Sequence, residues 1–97
     1  MSDKGGWVYR LTNRPNGVLY TGVTAELARR VWQHRTKETP GFASAYNATM
    51  LVYFERHEEI ISAIAREKTS KKWRRAWKVA MIEKTNPAWR DLYDDIL

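Results

Sequence analysis

Trp7-Val8-Tyr9-Arg10-Leu11-Thr12 and Val18-Leu19-Tyr20-Thr21-Gly22-Val23, joined by Asn13-Arg14-Pro15-Asn16-Gly17, decide the fold. The first run alternates in the strand manner and sets Trp7, Tyr9 and Leu11 on one face. The joining segment is dense in turn formers, and its Asn16-Gly17 pair tolerates the positive φ of a tight connection. The second run reads as the returning strand. Residues 7–23 therefore predict a β-hairpin.

Outward from the hairpin, Thr24 is placed to cap a helix over about 25–37, in which Leu27, Ala28, Val31 and Trp32 keep helical spacing. Thr39-Pro40-Gly41 ends it, and residues 40–48 read as a loop. Met50-Leu51-Val52-Tyr53-Phe54 predicts a third strand, apolar enough to sit mid-sheet; whether it pairs with the first or the second strand stays open. Ile60, Ile61, Ile64 and Ala65 mark a second helix, roughly 58–71. Trp73, Ala76, Trp77, Ala80 and Met81 mark a third, roughly 73–84, stopped by Asn86-Pro87. A short helical turn is expected within Ala88–Tyr93. The order β-β-α-β-α-α predicts an α+β fold with a small three-stranded antiparallel sheet flanked by helices. Residues 1–6 read as a loose arm and 7–97 as a single domain.

The chain has 97 residues, 43% of them hydrophobic, enough for one modest core. With no cysteine, disulfides, a thiolate nucleophile and Cys-based metal centres are excluded. The amino-terminal residues lack the apolar core of a signal peptide, and no run approaches a membrane span. The expectation is a soluble, cytoplasmic protein without a membrane partner. Seventeen Lys and Arg against eleven Asp and Glu give a net charge of +6, which points to an anionic partner, nucleic acid first.

Three constellations can carry chemistry. Tyr9 and Tyr20 can present two phenols on one face of neighbouring strands, although strand tyrosines are more often core or rim residues. Arg30 and His34, four residues apart, share a helix face beside the apolar stripe and can bind and protonate a phosphate; the competing reading is a solvated rim pair, as expected for Arg29 and Arg35. Glu67 falls on or beside the buried stripe of its helix, where a carboxylate requires a partner: a divalent cation, or a Lys, Arg or backbone amide. Between Arg66 and Lys78, seven cations face the single acid Glu67. Among them Lys71, Lys72, Arg74 and Arg75 are candidates for phosphate contact. Trp73 and Trp77, which interrupt the segment, can stack on bases, but their spacing of four favours the core.

The order Tyr on strand one, Tyr-x-Gly on strand two, Arg on the next helix and Glu on a later helix resembles the GIY-YIG endonuclease superfamily. Trp7-Val8-Tyr9 stands at the first signature triad, without its glycine, and Tyr20-Thr21-Gly22 at the second. Leu27-Ala28-Arg29-Arg30 and Ala65-Arg66-Glu67-Lys68 resemble the segments that supply the catalytic arginine and the metal-binding glutamate. The chain looks most like the small, stand-alone bacterial members of the uncharacterised UPF0213 type, which it also resembles in the basic helix around Trp73 and in Asn86-Pro87-x-Trp89. The resemblance implies metal-dependent hydrolysis of DNA, in DNA repair or recombination, with Mg2+ or Mn2+ held by Glu67. Tyr9 or Tyr20 would position or deprotonate the attacking water. Arg30 would bind the scissile phosphate, His34 would serve a related acid–base or phosphate role, and Asn86 would orient the site. The alternative is a nucleic-acid-binding module that keeps the fold without the chemistry. A third reading, a protein-interaction module, would use exposed Trp73, Trp77 or Trp89.

Overall fold

The computed structural model of the chain describes residues 5–97. Strands β1 (Gly6–Thr12), β2 (Leu19–Thr24) and β3 (Met50–His57) form one antiparallel sheet in the order β2-β1-β3. Helices α1 (Leu27–Arg35), α2 (Phe42–Ala45), α3 (Ile60–Lys71) and α4 (Arg75–Thr85) flank it, followed by a 3-10 turn at Tyr93–Ile96. This is the α+β plan expected from the sequence. Of the expected arm, residues 1–4 lie outside the described residues, while Gly6 opens β1 and both Gly5 and Gly6 are buried.

The hairpin closes through Gly17 N–H donating to Arg14 O at 2.8 Å and Val18 N–H donating to Asn13 Oδ1 at 3.1 Å. Asn16 adopts the positive φ, 60°. Gly17 is needed for a different reason: a Cβ there would lie 2.0 Å from Asn13 Oδ1.

β3 is an outer strand and β1 is central, the reverse of what the apolar run Met50–Phe54 suggests. The reason lies in the chain after α4. Leu92 N–H donates to Leu51 O, Leu51 N–H donates to Asp91 Oδ1, and Asn86 Nδ2 donates to Val52 O. This segment covers the free edge of β3 much as another strand would, so its apolarity reports burial and not position. β2 has no strand on its outer side among the described residues.

Alternation along β1 sends its side chains to two different layers. Tyr9 and Leu11 pack with Leu27 and Val31 of α1, with Ala43, Ala48 and Leu51, and with partly buried Leu92, Tyr93 and Ile96. Arg10, on the opposite face, pairs with Tyr53 across the sheet and lies beneath α3 and α4. A bulge opposite Arg10 and Leu11 lets Val52 and Tyr53 both join Ile82 and Trp89 in the second cluster. Arg10 is buried with its guanidinium over the rings of Tyr53 (5.1 Å) and Trp73 (5.7 Å). Nearby, Glu55 accepts from Tyr53, His57 and Arg66. Burial acts to raise its pKa, but these bonds outweigh burial and hold it below the ordinary carboxylate value. Burial first, then the bond to Glu55, pushes the Tyr53 phenol up to about 12.

Several local expectations are corrected. Thr24 does not cap α1; Glu26 stands at that position, and Thr24 Oγ1 instead accepts from Glu26 N–H in the turn before it. The expected loop at 40–48 contains α2. The buried stripe of α3 is Ala63, Glu67 and Ser70, while Ile61 and Ile64 face solvent. Ala63 meets Gly6 closely, and small residues along this stripe bring the helix down onto the sheet. Trp77 is 55% exposed and therefore not core, whereas Trp89 is buried. The last turn forms at Tyr93–Ile96, later than Ala88–Tyr93. Arg35 is not simply solvated: it pairs with Asp91 at 2.7 Å and lies over the Tyr93 ring.

Asn86 is buried within this second layer. Its Nδ2 donates to Val52 O and Arg90 O, and its Oδ1 accepts from Arg90 N–H. Asn86→Ala strands a buried carbonyl and should lower unfolding free energy by about 1–3 kcal/mol. Urea denaturation measures this; an unchanged midpoint would show that the bonds contribute nothing net.

Candidate functional site

Tyr9, Tyr20, Arg30 and His34 converge on the α1 side of the sheet. Tyr9 faces Gly22 across the β1–β2 pairing, and Tyr20 lies opposite Leu11, one diagonal step away on the same face. A Cβ on Gly22 would come within 2.5 Å of Tyr9 Cζ and Oη. Gly22 therefore leaves the space through which the Tyr9 ring reaches across β2. The Tyr-x-Gly spacing has this physical basis: the tyrosine supplies one phenol, and the glycine makes room for the other.

His34 is 3% exposed, with Nε2 3.0 Å from the Tyr9 hydroxyl, itself 1% exposed as a residue. The ring centroids of Tyr20 and His34 are 5.2 Å apart, and those of Tyr9 and Tyr20 6.2 Å. Three rings thus form one packed cluster. The Arg30 guanidinium is held at its mouth by Gln33 Oε1 at 3.1 Å and Thr39 Oγ1 at 3.4 Å. Sequence reasoning missed these two supports; the i,i+3 spacing of Arg30 and Gln33 was the available signal.

Burial pushes the Tyr9 phenol well above its ordinary pKa, aided by Tyr20 and opposed by Arg30. Burial and then the Arg30 charge pull His34 below its ordinary 6.5. Both causes favour a neutral imidazole near pH 7, able to accept the Tyr9 O–H.

Glu67 belongs to the other side of the sheet. It is 7% exposed, on the face of α3 that packs over β1 and β2. Its carboxylate meets Lys71 Nζ at 2.7 Å. Lys71 in turn lines a hollow of about 250 Å³ with Leu19, Tyr20, Thr21, Phe42 and Lys78. The two faces therefore meet around the open edge of β2, where Tyr20 and Lys71 border the same space. A second hollow runs beside Val23 and Thr24, at the other end of this edge, and includes Arg30 and Gln33.

Asn86 lies away from this edge, bonded beneath β3 as described. Among the candidate phosphate contacts, Lys71 is engaged by Glu67, and Arg75 Nη2 donates to Asn16 O and Gly17 O. Arg74 lies over Trp77, and Lys72 is exposed. Lys78, outside that set of four, is the cation that faces the hollow beside Tyr20.

No group of three or more His, Cys, Asp or Glu able to hold a metal occurs among the described residues. This donor set does not suit a metal needing several protein ligands. It does suit a hard cation that keeps most of its water and phosphate oxygens and takes one carboxylate from the protein; that carboxylate is Glu67, which Lys71 Nζ engages in this structure.

The GIY-YIG catalytic domain family model matches residues 5–80. The chain belongs to this family. It is 25% identical over 93 residues to the UPF0213 protein DP2720 of Desulfotalea psychrophila, covering 95% of this chain and 84% of that one. No solved structure matches it. Family membership makes this a nuclease-type domain, with nucleic acid as its substrate class. In this GIY-YIG chain, Trp7 packs edge-on against Phe54, with Arg56 over its ring. No helix among the described residues is long and apolar enough to cross a membrane.

The depressed His34 pKa has a definite sign for stability. The folded state holds His34 neutral while the unfolded chain binds a proton near pH 6.5, so this contribution is present above that pH and is lost as pH falls through the folded value. The urea midpoint should therefore drop on acidification below about pH 6.5, and His34→Gln should flatten that part of the profile. An identical profile in the variant would remove the assigned burial effect.

Proposed function

We propose that this protein is a metal-dependent endonuclease that hydrolyses DNA phosphodiester bonds, with a role in DNA repair or recombination. The observation that carries the reading is the buried Tyr9–His34 hydrogen bond with Arg30 at its mouth, opening on the free edge of β2. A diester is already anionic and repels a nucleophile. In this reading Arg30, preorganised by Gln33 and Thr39, receives a phosphate oxygen and offsets the charge that develops on it. Tyr9 is a poor base by itself, because its pKa is raised. It can take a proton from water only as its own passes on, and neutral His34 Nε2 lies 3.0 Å away to receive it. Burial is the larger cause that holds His34 neutral and the Arg30 charge the smaller; phosphate bound at Arg30 offsets the second, so the relay gains some driving force as substrate binds. Tyr20 borders both the ring cluster and the hollow and positions the water or the flanking phosphate.

Glu67 would hold Mg2+ or Mn2+. Such an ion would supply Lewis-acid polarisation of the phosphate and a lower pKa for bound water. The chain itself holds the carboxylate nearly dry on the face of α3 that packs over β1 and β2, one helical turn from Lys71 at the hollow.

Purified protein should nick plasmid, single-stranded or branched DNA in Mg2+ or Mn2+. Arg30→Ala and Glu67→Ala should each lower the rate by about 10²–10³-fold, the usual loss on removing a group that stabilises transition-state charge. Tyr9→Phe should do likewise by breaking the relay. Wild-type cutting rates in these variants, or no cutting of any substrate, would end the enzyme reading. The module without chemistry, favoured by the Glu67 carboxylate being already neutralised by Lys71, would then show salt-sensitive binding that persists in EDTA and in Glu67→Ala.

A further inference from the structure

We propose that Lys71 is a two-position residue: it neutralises Glu67 while the cleft is free, and moves to a substrate phosphate in the hollow beside Tyr20 when the cleft fills, releasing the carboxylate to a divalent cation. The inference deepens the nuclease reading and rests on it for the cation at Glu67.

The argument begins with the cost of Glu67. A carboxylate buried to this degree requires a counter-charge. Lys71 supplies it from one helical turn away, at 2.7 Å, yet the Lys71 side chain is itself 54% exposed. Its ammonium therefore sits at the water boundary on a four-carbon stem, able to redirect without any change in α3.

The second position is visible in the same side chain. Lys71 and Lys78 border the hollow with Tyr20, Thr21 and Phe42. Around Lys78 the charges are Arg10, Arg75 and Lys71, all positive, and these together with burial, the larger cause, depress its pKa. Arg75 is spent on backbone carbonyls of the hairpin turn, and Arg10 is sealed under Trp73 and Tyr53. Among the described residues, Lys71 is the one cation of this group with a carboxylate partner. A phosphate entering the hollow thus meets an excess of cations: Lys78 faces it with no carboxylate partner among the described residues, and Lys71, half-exposed on its flexible stem, is the cation that can leave Glu67 to join it.

Exchange of one partly exposed ion pair for another is close to balanced, which makes the movement reversible. Linkage then requires reciprocity: phosphate tightens cation binding at Glu67 by the factor with which the cation tightens phosphate binding. The ordinary role of a Glu–Lys pair at i,i+4, a small gain in helix stability, requires no such coupling.

Mn2+ binding can be read without turnover, from paramagnetic broadening of the amide signals of residues 66–68, with Glu67→Gln as the zero. The polyanion is a phosphorothioate-linked oligonucleotide. Without it, Lys71→Met should bind Mn2+ about two- to fivefold more tightly than wild type, the size expected from removing a competing, partly exposed ion pair. The oligonucleotide should tighten Mn2+ binding in wild type by a similar factor and leave Lys71→Met unchanged. Lys78→Gln should weaken oligonucleotide binding while keeping wild-type Mn2+ affinity in its absence. Equal Mn2+ affinity in wild type and Lys71→Met overturns the two-position role but leaves the nuclease reading standing. Broadening that survives Glu67→Gln, or no broadening in any protein with or without oligonucleotide, overturns the cation site and both readings with it.

Discussion

β1 is hydrogen-bonded on both edges and covered on both faces, and this double burial governs the molecule. Successive side chains of such a strand must satisfy two different layers. Tyr9 is committed to the α1 side and Arg10 to the α3–α4 side, so two adjacent residues anchor the two halves of the domain. A one-residue slip would exchange the phenol and the guanidinium, burying each in the wrong layer. The hairpin turn and the absent Cβ at Gly22 fix the register that prevents this.

The same burial sets the electrostatics. Water is excluded from the Tyr9 and His34 rings, so both remain neutral and paired with each other. Two cations of the site stand at its rim, Arg30 at one end of the β2 edge and Lys71 around the corner at the other. This arrangement keeps their charges where desolvation costs least, while buried Glu67 depends on Lys71 for its counter-charge. It also leaves the charged groups where an anionic polymer can reach them.

The hairpin, the helix spans and the two pairs Tyr9–Tyr20 and Arg30–His34 were legible because they rest on local rules: alternation, turn residues and spacing along one helix; that the two pairs share one site followed only from the resemblance to the family. The placement of Glu67 was legible only in part. Its helical position marked it as buried, but the sequence did not reveal that its face of α3 lies across the sheet from the tyrosines. Strand order failed for a similar reason, since the cover over β3 comes from Asn86, Asp91 and Leu92, some forty residues away. Trp77 misled because helical spacing of aromatics signals a shared face and not the direction in which that face points. Ile61 and Ile64 misled too: the close approach of α3 to Gly6 selects the small residue Ala63 for the interface and turns the large apolar ones outward.

An outer strand with unpaired N–H and C=O groups invites a strand from another molecule, the usual route to ordered aggregation. Here the β2 edge is flanked by Arg30 on one side and by Lys71 and Lys78 on the other. A second copy approaching edge to edge would bring these like charges together, so the repulsion that suits the cleft to a polyanion also disfavours pairing through its own sheet. The cost of that double duty is specific: substitutions that strip these cations sacrifice ligand attraction and colloidal protection at once.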